Sequence, residues 1–156
     1  MKIRPIKEKD NLQLCQLIKS ILEHENLALP GTAYYDEALT NLSAYYEQYK
    51  NAEYFVLIDE NDKIYGGVGI APFSDSVCEL QKLYLSPEVR AQGWSNQLMD
   101  MALDFAKKHY QHTYLESHTN LATALVLYKK YGFQQLAQPI EGSEHSLMNV
   151  WLIKSL

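Results

Sequence analysis

The chain has 156 residues, of which 47% are hydrophobic and 21% are charged, and its formal net charge is −5. This composition predicts one globular domain over residues 1–156 and excludes a disordered chain. The acidic balance argues against nucleic-acid binding, which usually requires a basic surface. No apolar run reaches the roughly 18 residues of a membrane span, and residues 1–9 lack a signal-peptide core. With two cysteines only, the sequence predicts a cytoplasmic protein.

Hydrophobic periodicity predicts one strand, two helices, three strands, and then alternating helices and strands. The predicted strands are residues 2–6, 54–58, 64–71, 77–85, 112–117, 133–136 and 147–153, and the predicted helices are residues 10–25, 37–49, 94–109 and 121–131. The order β-α-α-β-β-β-α-β-α-β-β indicates an α/β protein with a mixed sheet and helices on its faces. Strands 77–85 and 112–117 enclose one helix, so we expect them to be parallel.

The stretch Glu79–Ser95 joins a predicted strand to a predicted helix through a short loop. A helix start offers unpaired backbone N–H groups and the positive end of the helix dipole, which favour a bound phosphate. We therefore expect the loop Arg90–Ser95 to bind a phosphate or pyrophosphate group. Strand 64–71 contains three glycines, Gly66, Gly67 and Gly69, which indicate a β-bulge or the close approach of another backbone.

The loop resembles the Q/R-x-x-G-x-G/A motif of the GNAT family of acetyl-CoA-dependent N-acetyltransferases. Arg90, Gly93 and Ser95 fall on its marked positions, with Ser95 in place of the usual Gly or Ala. Further along the chain, three segments are similar to the family's A-x-x-L-Y and G-F pattern, namely Ala124, Leu127-Tyr128 and Tyr131-Gly132-Phe133. A short motif alone is weak support, and the order of elements around it strengthens the resemblance.

The resemblance implies a three-layer GNAT fold that binds acetyl-CoA and transfers its acetyl group to a primary amine of a small molecule or peptide. Transfer would occur by direct attack in a ternary complex and would need no metal. The implied cofactor contacts are Leu83, Tyr84, Leu85, Arg90, Ala91, Gln92, Gly93, Trp94, Ser95 and Asn120. The family often has an asparagine where this chain has Leu121, so Asn120 could instead cap the following helix.

Acetyl transfer requires a neutral amine, a donor for the developing oxyanion and a proton for the leaving thiolate. The resemblance implies that a backbone N–H near Leu83 serves the oxyanion, provided that the central strand splays from its neighbour. Tyr128 is the candidate general acid, because its hydroxyl can protonate the leaving sulfur. Tyr128 also lies on an apolar helical stripe, so it could simply be a packed tyrosine.

Two residues are candidates for the general base. Glu79 lies in an otherwise apolar strand, and strict alternation puts it on the same face as Leu83 and Leu85. Burial would raise the pKa of its carboxyl and suit it to proton abstraction, although a structural ion pair or a solvent-facing edge would also explain it. His145 is the second candidate because its pKa suits neutral pH, and water is a further alternative.

Specificity for the acceptor should come from the segment Leu27–Asp36 together with the loop around His145. Tyr34 and Tyr35 would form aromatic walls beside Glu79, and an acidic surrounding would favour a cationic amine. Asp36 could contribute to that charge, although capping the second helix is an alternative role. The last two strands and the tyrosine-rich second helix are candidate surfaces for a homodimer.

Other functional classes fit parts of the sequence. A catalytically silent acyl-CoA-binding sensor or interaction module would keep the loop Arg90–Ser95 without needing Tyr128 or a base. A generic nucleotide-binding domain is disfavoured, because the chain lacks a G-x-G-x-x-G or P-loop motif. No spacing of histidines, cysteines and carboxylates indicates a metal site.

Overall fold

The structure, a computed structural model, describes residues 1–156 and has the predicted order of strands and helices. A seven-stranded mixed sheet carries four α-helices, and this α/β architecture is the one expected from the sequence. The strands are β1 (Lys2–Pro5), β2 (Glu53–Ile58), β3 (Ile64–Pro72), β4 (Val77–Leu85), β5 (His112–Ser117), β6 (Gln134–Leu136) and β7 (Val150–Ser155). The helices are α1 (Asn11–His24), α2 (Leu42–Glu47), α3 (Trp94–Lys107) and α4 (Ala122–Lys130).

The second helix is shorter than predicted. Residues 37–41 form a 3₁₀ turn, and Asn41 has non-helical backbone angles (φ −145°, ψ 60°) that separate this turn from α2. A contact with α1 fixes the start of α2, because the Asn11 side chain accepts a hydrogen bond from the Ser43 backbone N–H at 3.0 Å. The prediction of one helix over residues 37–49 was therefore wrong, since a partner 32 residues away decides where α2 begins.

The last strand begins later than predicted, at Val150 instead of Leu147. The backbone N–H of Leu147 donates to the carbonyl of Gly31 at 3.1 Å, which ties this segment to a loop and not to the sheet. Residues 137–149 therefore form a loop across the end of the sheet, and this loop carries His145.

The sheet has the order β1-β2-β3-β4-β5-β7-β6, and β4–β5 is its parallel pair. The parallel arrangement confirms the prediction for the unit β4-α3-β5. Pairing is limited to Val77–Glu79 against His112–Tyr114, and beyond these residues β4 and β5 diverge. The rest of β4 faces a gap in the middle of the sheet.

A β-bulge interrupts β4 opposite the glycines of β3. Lys82 has a positive φ of 51°, and the register advances by two residues on β3 but by three on β4. The inserted residue reverses the alternation, so Leu83 packs with the core under α3 and α4. Glu79 lies on the opposite face of the sheet from Leu83, and the prediction of a shared face was wrong for this reason.

The two faces of the sheet carry separate cores. One core packs α3 and α4 against residues such as Phe55 and Val68, and the other packs α1 and α2 against residues such as Tyr54 and Val56. On the second face, a Cβ on Gly67 or Gly69 would overlap the rings of Tyr54 and Tyr46. Two of the glycines thus let buried tyrosine rings lie close against β3, while the bulge itself is on β4.

Candidate active site

The gap between β4 and β5 opens into an elongated cavity of about 320 Å³, which we call the gap cavity. Of its 26 lining residues 15 are hydrophobic, and they come mainly from β4, the start of α4 and the loop before α3. Because β4 has no partner on β5 past Glu79, backbone groups along its second half are available to a ligand. The splayed strand expected from the sequence is therefore present.

The loop Arg90–Ser95 closes one end of the gap cavity. Ala91 and Gly93 have positive φ angles of 59° and 87°, and Gly93 is the residue before the first turn of α3. The Arg90 side chain donates from Nε to the carbonyl of Leu85 at 3.0 Å, which braces the loop against the end of β4. Arg90, Ala91 and Ser95 line the cavity, whereas Gln92, Gly93 and Trp94 are not among its lining residues.

Tyr128 on α4 lines the gap cavity and is only 6% exposed. Its hydroxyl has no hydrogen-bond partner in the protein. Only one unpaired side-chain oxygen or nitrogen is completely buried, and that atom is Thr113 Oγ1, so the Tyr128 oxygen retains some exposed surface. The Tyr128 hydroxyl must therefore open toward the cavity. Burial raises its pKa well above that of a free tyrosine, so the phenol keeps its proton at neutral pH.

A second cavity, of about 750 Å³, adjoins the gap cavity, and we call it the acidic cavity. Five of its 18 lining residues are hydrophobic. Its lining includes six carboxylates but only two groups that can be cationic, Lys82 and His145. The carboxylates are Asp36, Glu37, Glu79, Glu116, Glu141 and Glu144.

The two cavities meet at a junction formed by five residues that line both of them. These residues are Glu79, Gln81, Lys82, Glu116 and His145. A molecule in the gap cavity and a molecule in the acidic cavity would therefore approach each other at a group of titratable side chains.

Glu79 is held at the junction by a chain of hydrogen bonds. Tyr46 donates its hydroxyl to Gln81 Oε1 at 2.7 Å, and Gln81 Nε2 donates to Glu79 Oε1 at the same distance. Burial raises the pKa of the Glu79 carboxyl, and the negative charge of Glu116 adds to the effect. The hydrogen bond from Gln81 and the nearby His145 oppose this rise without cancelling it.

His145 pairs with Asp36 across 109 residues of sequence. His145 Nε2 lies 2.9 and 3.0 Å from the two Asp36 oxygens, and Lys82 Nζ lies 2.9 Å from the same carboxylate. The hydrogen bond with Asp36 raises the pKa of His145, although burial and Lys82 oppose it. Burial works to raise the pKa of Asp36, but His145 and Lys82 together lower it.

Asp36 does not cap the following helical turn through its side chain. The sequence left two roles open for Asp36; the residue holds the N-cap position, but its side chain makes no capping hydrogen bond. The carboxylate points instead into the acidic cavity, where His145 and Lys82 occupy its oxygens.

Glu116 completes the junction. Tyr114 donates its hydroxyl to Glu116 Oε2 at 2.8 Å, and the Ser143 hydroxyl donates to the same oxygen. Glu79, Glu116 and His145 each offer one potential ligand atom, and these three atoms lie within 4.8 Å of one another. This spacing could hold a metal ion. Each of the three side chains already bonds to a protein group, so the hydrogen-bond network explains their proximity without an ion.

The two tyrosines predicted as pocket walls lie elsewhere, whereas Asn120 lies at the gap cavity. Tyr34 donates its hydroxyl to Glu23 at 2.8 Å and Tyr35 is 61% exposed, and neither lines either cavity. Asn120 lines the gap cavity but does not cap α4, where Leu121 holds the cap position. Its side chain donates to the carbonyl of Glu25 instead.

Sequence reasoning missed other lining residues. Tyr45 and Tyr49 line the acidic cavity and provide the aromatic walls that were predicted for Tyr34 and Tyr35. Lys82 and Glu116 also escaped prediction. A charged residue inside an apolar strand was the available signal for both, and it was used for Glu79 alone.

Comparisons with known proteins agree with this architecture. Residues 50–135 match the sequence profile of the acetyltransferase (GNAT) domain. The chain is 28% identical to the uncharacterized N-acetyltransferase YjgM of Escherichia coli (strain K12), over 99% of this chain and 94% of that protein. The matched profile spans more than half of the chain.

Solved structures share the fold over nearly the whole length. An acetyltransferase of the GNAT family from Staphylococcus aureus Mu50 superposes with a TM-score of 0.87 at 18% identity, covering 99% and 98% of the two chains. The PaiA N-acetyltransferase from Thermoplasma acidophilum, solved in complex with coenzyme A, has a TM-score of 0.75 at 16% identity, with the same coverage. The present chain belongs to the GNAT family of acetyltransferases. None of its helices combines the length and apolar character needed to cross a membrane.

Proposed function

We propose that this chain, as a single domain over residues 1–156, transfers the acetyl group of acetyl-CoA to a primary amine that carries positive charge. The observation that carries the proposal is the meeting of two unlike cavities at one junction of titratable groups. The gap cavity would take the acetyl donor, and the acidic cavity would take the acceptor. The reaction would be a direct transfer within a ternary complex.

The gap cavity suits both the pyrophosphate and the pantetheine arm of coenzyme A. The start of α3 with Ala91 and Gly93 in left-handed conformations can present backbone N–H groups to a pyrophosphate. A Cβ added at Gly93 would meet nothing within 4 Å, so the space above the loop is open. Leu83 and Leu85, along the unpaired half of β4, offer apolar side chains and backbone groups to the pantetheine arm.

In the proposed reaction the amine nitrogen bonds to the thioester carbonyl carbon and the carbon–sulfur bond breaks with its electron pair on sulfur. An acceptor that binds as an ammonium group loses one proton to become the neutral nucleophile and a second proton once the new bond has formed. The sulfur gains one proton, so one proton is released overall. Tyr128 is the proposed donor of the proton that the sulfur gains, because its hydroxyl is protonated, lines the gap cavity and bonds to no protein group. The Leu83 N–H is the proposed donor for the charge that develops on the thioester oxygen.

Glu79 is the proposed general base. Its raised pKa suits it to take a proton from the nitrogen, and its position at the junction puts it between the two cavities. His145 stands beside it as the alternative base, but Asp36 holds one of its ring nitrogens and raises its pKa, which favours the imidazolium form. Because the contact with Asp36 already engages His145, we propose Glu79 rather than His145 as the base.

A cationic acceptor follows from the charge of the acidic cavity. Six carboxylates against one lysine and one histidine attract an ammonium group and disfavour a carboxylate-bearing acceptor. Tyr45 and Tyr49 add aromatic faces to the same cavity, which suit a cation or an alkyl chain.

The experiment that tests this function is thioester consumption by the purified protein with a panel of cationic, neutral and acidic amines. We expect turnover with members of the cationic set, and lower kcat/KM for the others. Coenzyme A binding without consumption of acetyl-CoA by any amine would favour a silent acyl-CoA-binding module instead. Preference for acidic acceptors would contradict the assignment of the acidic cavity.

A further inference from the structure

The bulge on β4 is held in place by a tyrosine from β2. Tyr54 is fully buried and donates its hydroxyl to the carbonyl oxygen of Lys82 at 2.8 Å. Lys82 and Leu83 have no register partner on β3 or on β5. The hydroxyl of Tyr54 therefore takes the place of the ladder bond that the bulge removes.

This hydrogen bond also fixes an N–H group. The carbonyl of Lys82 and the N–H of Leu83 belong to the same peptide group, which is planar and trans, so the two point in opposite directions. Tyr54 reaches the carbonyl from the β3 side, across Gly67. The Leu83 N–H is thereby directed away from β3, toward the gap where β4 has no partner.

The tyrosine can occupy this position because the strand beneath it lacks a side chain. A Cβ at Gly67 would overlap the Tyr54 ring and approach its hydroxyl to 2.8 Å. On its other side the ring packs against Tyr46 with centroids 5.4 Å apart. With glycine below and an aromatic ring beside it, Tyr54 is confined, and a confined donor restricts the peptide that it holds.

We infer that Tyr54 is a positioning residue for acetyl transfer, whose hydroxyl orients the Lys82–Leu83 peptide so that the Leu83 N–H meets the developing oxyanion. The inference rests on the proposed function, because it needs a thioester in the gap cavity. It assigns a role to Tyr54 and to Gly67, neither of which lines the gap cavity or the acidic cavity. Loss of a preorganised oxyanion donor typically lowers turnover by about 10²–10³-fold.

The test compares two tyrosine-to-phenylalanine variants. Tyr54→Phe keeps the ring and removes the donor, and we expect kcat to fall by about ten- to a hundredfold because the donor is loosened and not deleted. The KM for acetyl-CoA should stay near the wild-type value. Tyr110→Phe is the matched control, because the Tyr110 hydroxyl also donates to a backbone carbonyl at 2.8 Å, that of Asn51, away from both cavities. Its kcat should equal that of the wild type.

Two further measurements separate this inference from the proposed function and from folding. A variant with 4-fluorophenylalanine in place of Tyr54 retains the volume without the donor, and it should lose kcat as Tyr54→Phe does. Amide exchange of Leu83, followed by ¹⁵N NMR, should be faster in Tyr54→Phe than in Tyr110→Phe whether or not any amine is acetylated.

The kcat values and the Leu83 exchange rate together decide the role of Tyr54. Equal kcat in the wild type and both Tyr54 variants, or unchanged Leu83 exchange, would overturn the positioning role. If the wild type acetylates no amine, the proposed function fails, and the Leu83 exchange rate alone decides whether Tyr54 fixes this peptide.

Discussion

The two cavities differ in how the chain builds them. The gap cavity is largely apolar and comes mostly from neighbouring segments, β4, the loop to α3 and α4. The acidic cavity is mostly polar, and its charged residues come from segments as distant as Asp36 and His145. One cavity is suited to a long ligand with a fixed chemical structure, and the other is suited to a small cation. The difference indicates that donor binding and acceptor chemistry can be altered separately.

The largest effect should come from the base at the junction. We expect Glu79→Gln to lower kcat/KM for the amine by about 10²–10⁴-fold, because glutamine cannot accept the proton. In the wild type, the rate should rise with pH as Glu79 loses its proton. Burial and then Glu116 raise its pKa, so the limb should lie above pH 4.5, the ordinary value for glutamate. The measurement is kcat/KM against pH, and the variant should lack this limb.

Glu53→Gln is the control for the Glu79 variant. Glu53 is a strand glutamate whose pKa burial also raises, but it accepts a hydrogen bond from the Tyr54 backbone N–H and lines neither cavity. Its glutamine can still accept that bond, so the pH profile should be unaltered. An unchanged profile for Glu79→Gln would assign the base to His145 or to water.

The next effect concerns the general acid. Tyr128→Phe should lower kcat by about ten- to a thousandfold with little change in the KM for acetyl-CoA, because only proton donation to sulfur is lost. Tyr131→Phe, at the end of the same helix, removes a hydroxyl that donates to Asp100 at 2.7 Å outside the cavities. Full activity in both variants would remove Tyr128 from the mechanism.

A smaller effect, on coenzyme A binding alone, should come from a substitution in the loop before α3. Gly93→Ala places a methyl group over the proposed pyrophosphate site and should weaken coenzyme A binding by about tenfold, or ~1.4 kcal/mol. Gly132→Ala has the same backbone strain, since the two φ angles are 87° and 86°, but it lies after α4. Calorimetric titration should show unchanged affinity for Gly132→Ala. Equal losses in both would mean that strain, and not the site, is responsible.

The smallest effect should be on stability. Asp36→Asn removes the negative charge that strengthens the hydrogen bond with His145 and raises the pKa of that histidine. It should lower the free energy of unfolding by about 1 kcal/mol, since both side chains are partly exposed. A raised pKa in the folded state stabilises the fold fully below pH 6.5, the ordinary histidine value, and this contribution is lost as pH rises through the raised value.

Urea unfolding at several pH values from 5 to 9 measures this prediction. The difference between the wild type and Asp36→Asn should shrink toward high pH, leaving the contribution of the Asp36–Lys82 pair. Asp59→Asn is the control, because Asp59 accepts hydrogen bonds from the backbone N–H groups of Asn61 and Lys63 and has no histidine partner. Its difference from the wild type should stay constant between pH 6 and 8.

The gap cavity could be anticipated because its information is local. The strand end Leu83–Leu85, the loop Arg90–Ser95 and Tyr128 lie within about one third of the chain and have a recognisable order and spacing. The structure brings most of them to one cavity, while their individual roles stay predictions. The order of elements also followed from hydrophobic periodicity, which reports which face of each element is buried.

The acidic cavity could not be anticipated in the same way. The pair Asp36–His145 depends on a contact across 109 residues, which periodicity does not encode. The bulge at Lys82 reverses which side chains of β4 face each core, and a single sequence carries no local sign of that reversal. The glycines of β3 indicated a bulge, but they lie on the neighbouring strand and do not show which residue of β4 is inserted.

Donor and acceptor are proposed to occupy separate cavities and to meet at Glu79. A crystal structure of the protein with coenzyme A and a diamine tests it most directly. We expect the pantetheine arm along Leu83–Leu85, the thiol facing the Tyr128 hydroxyl, and an ammonium group among the carboxylates of the acidic cavity. An amine bound outside the acidic cavity, or coenzyme A outside the gap between β4 and β5, would contradict this arrangement.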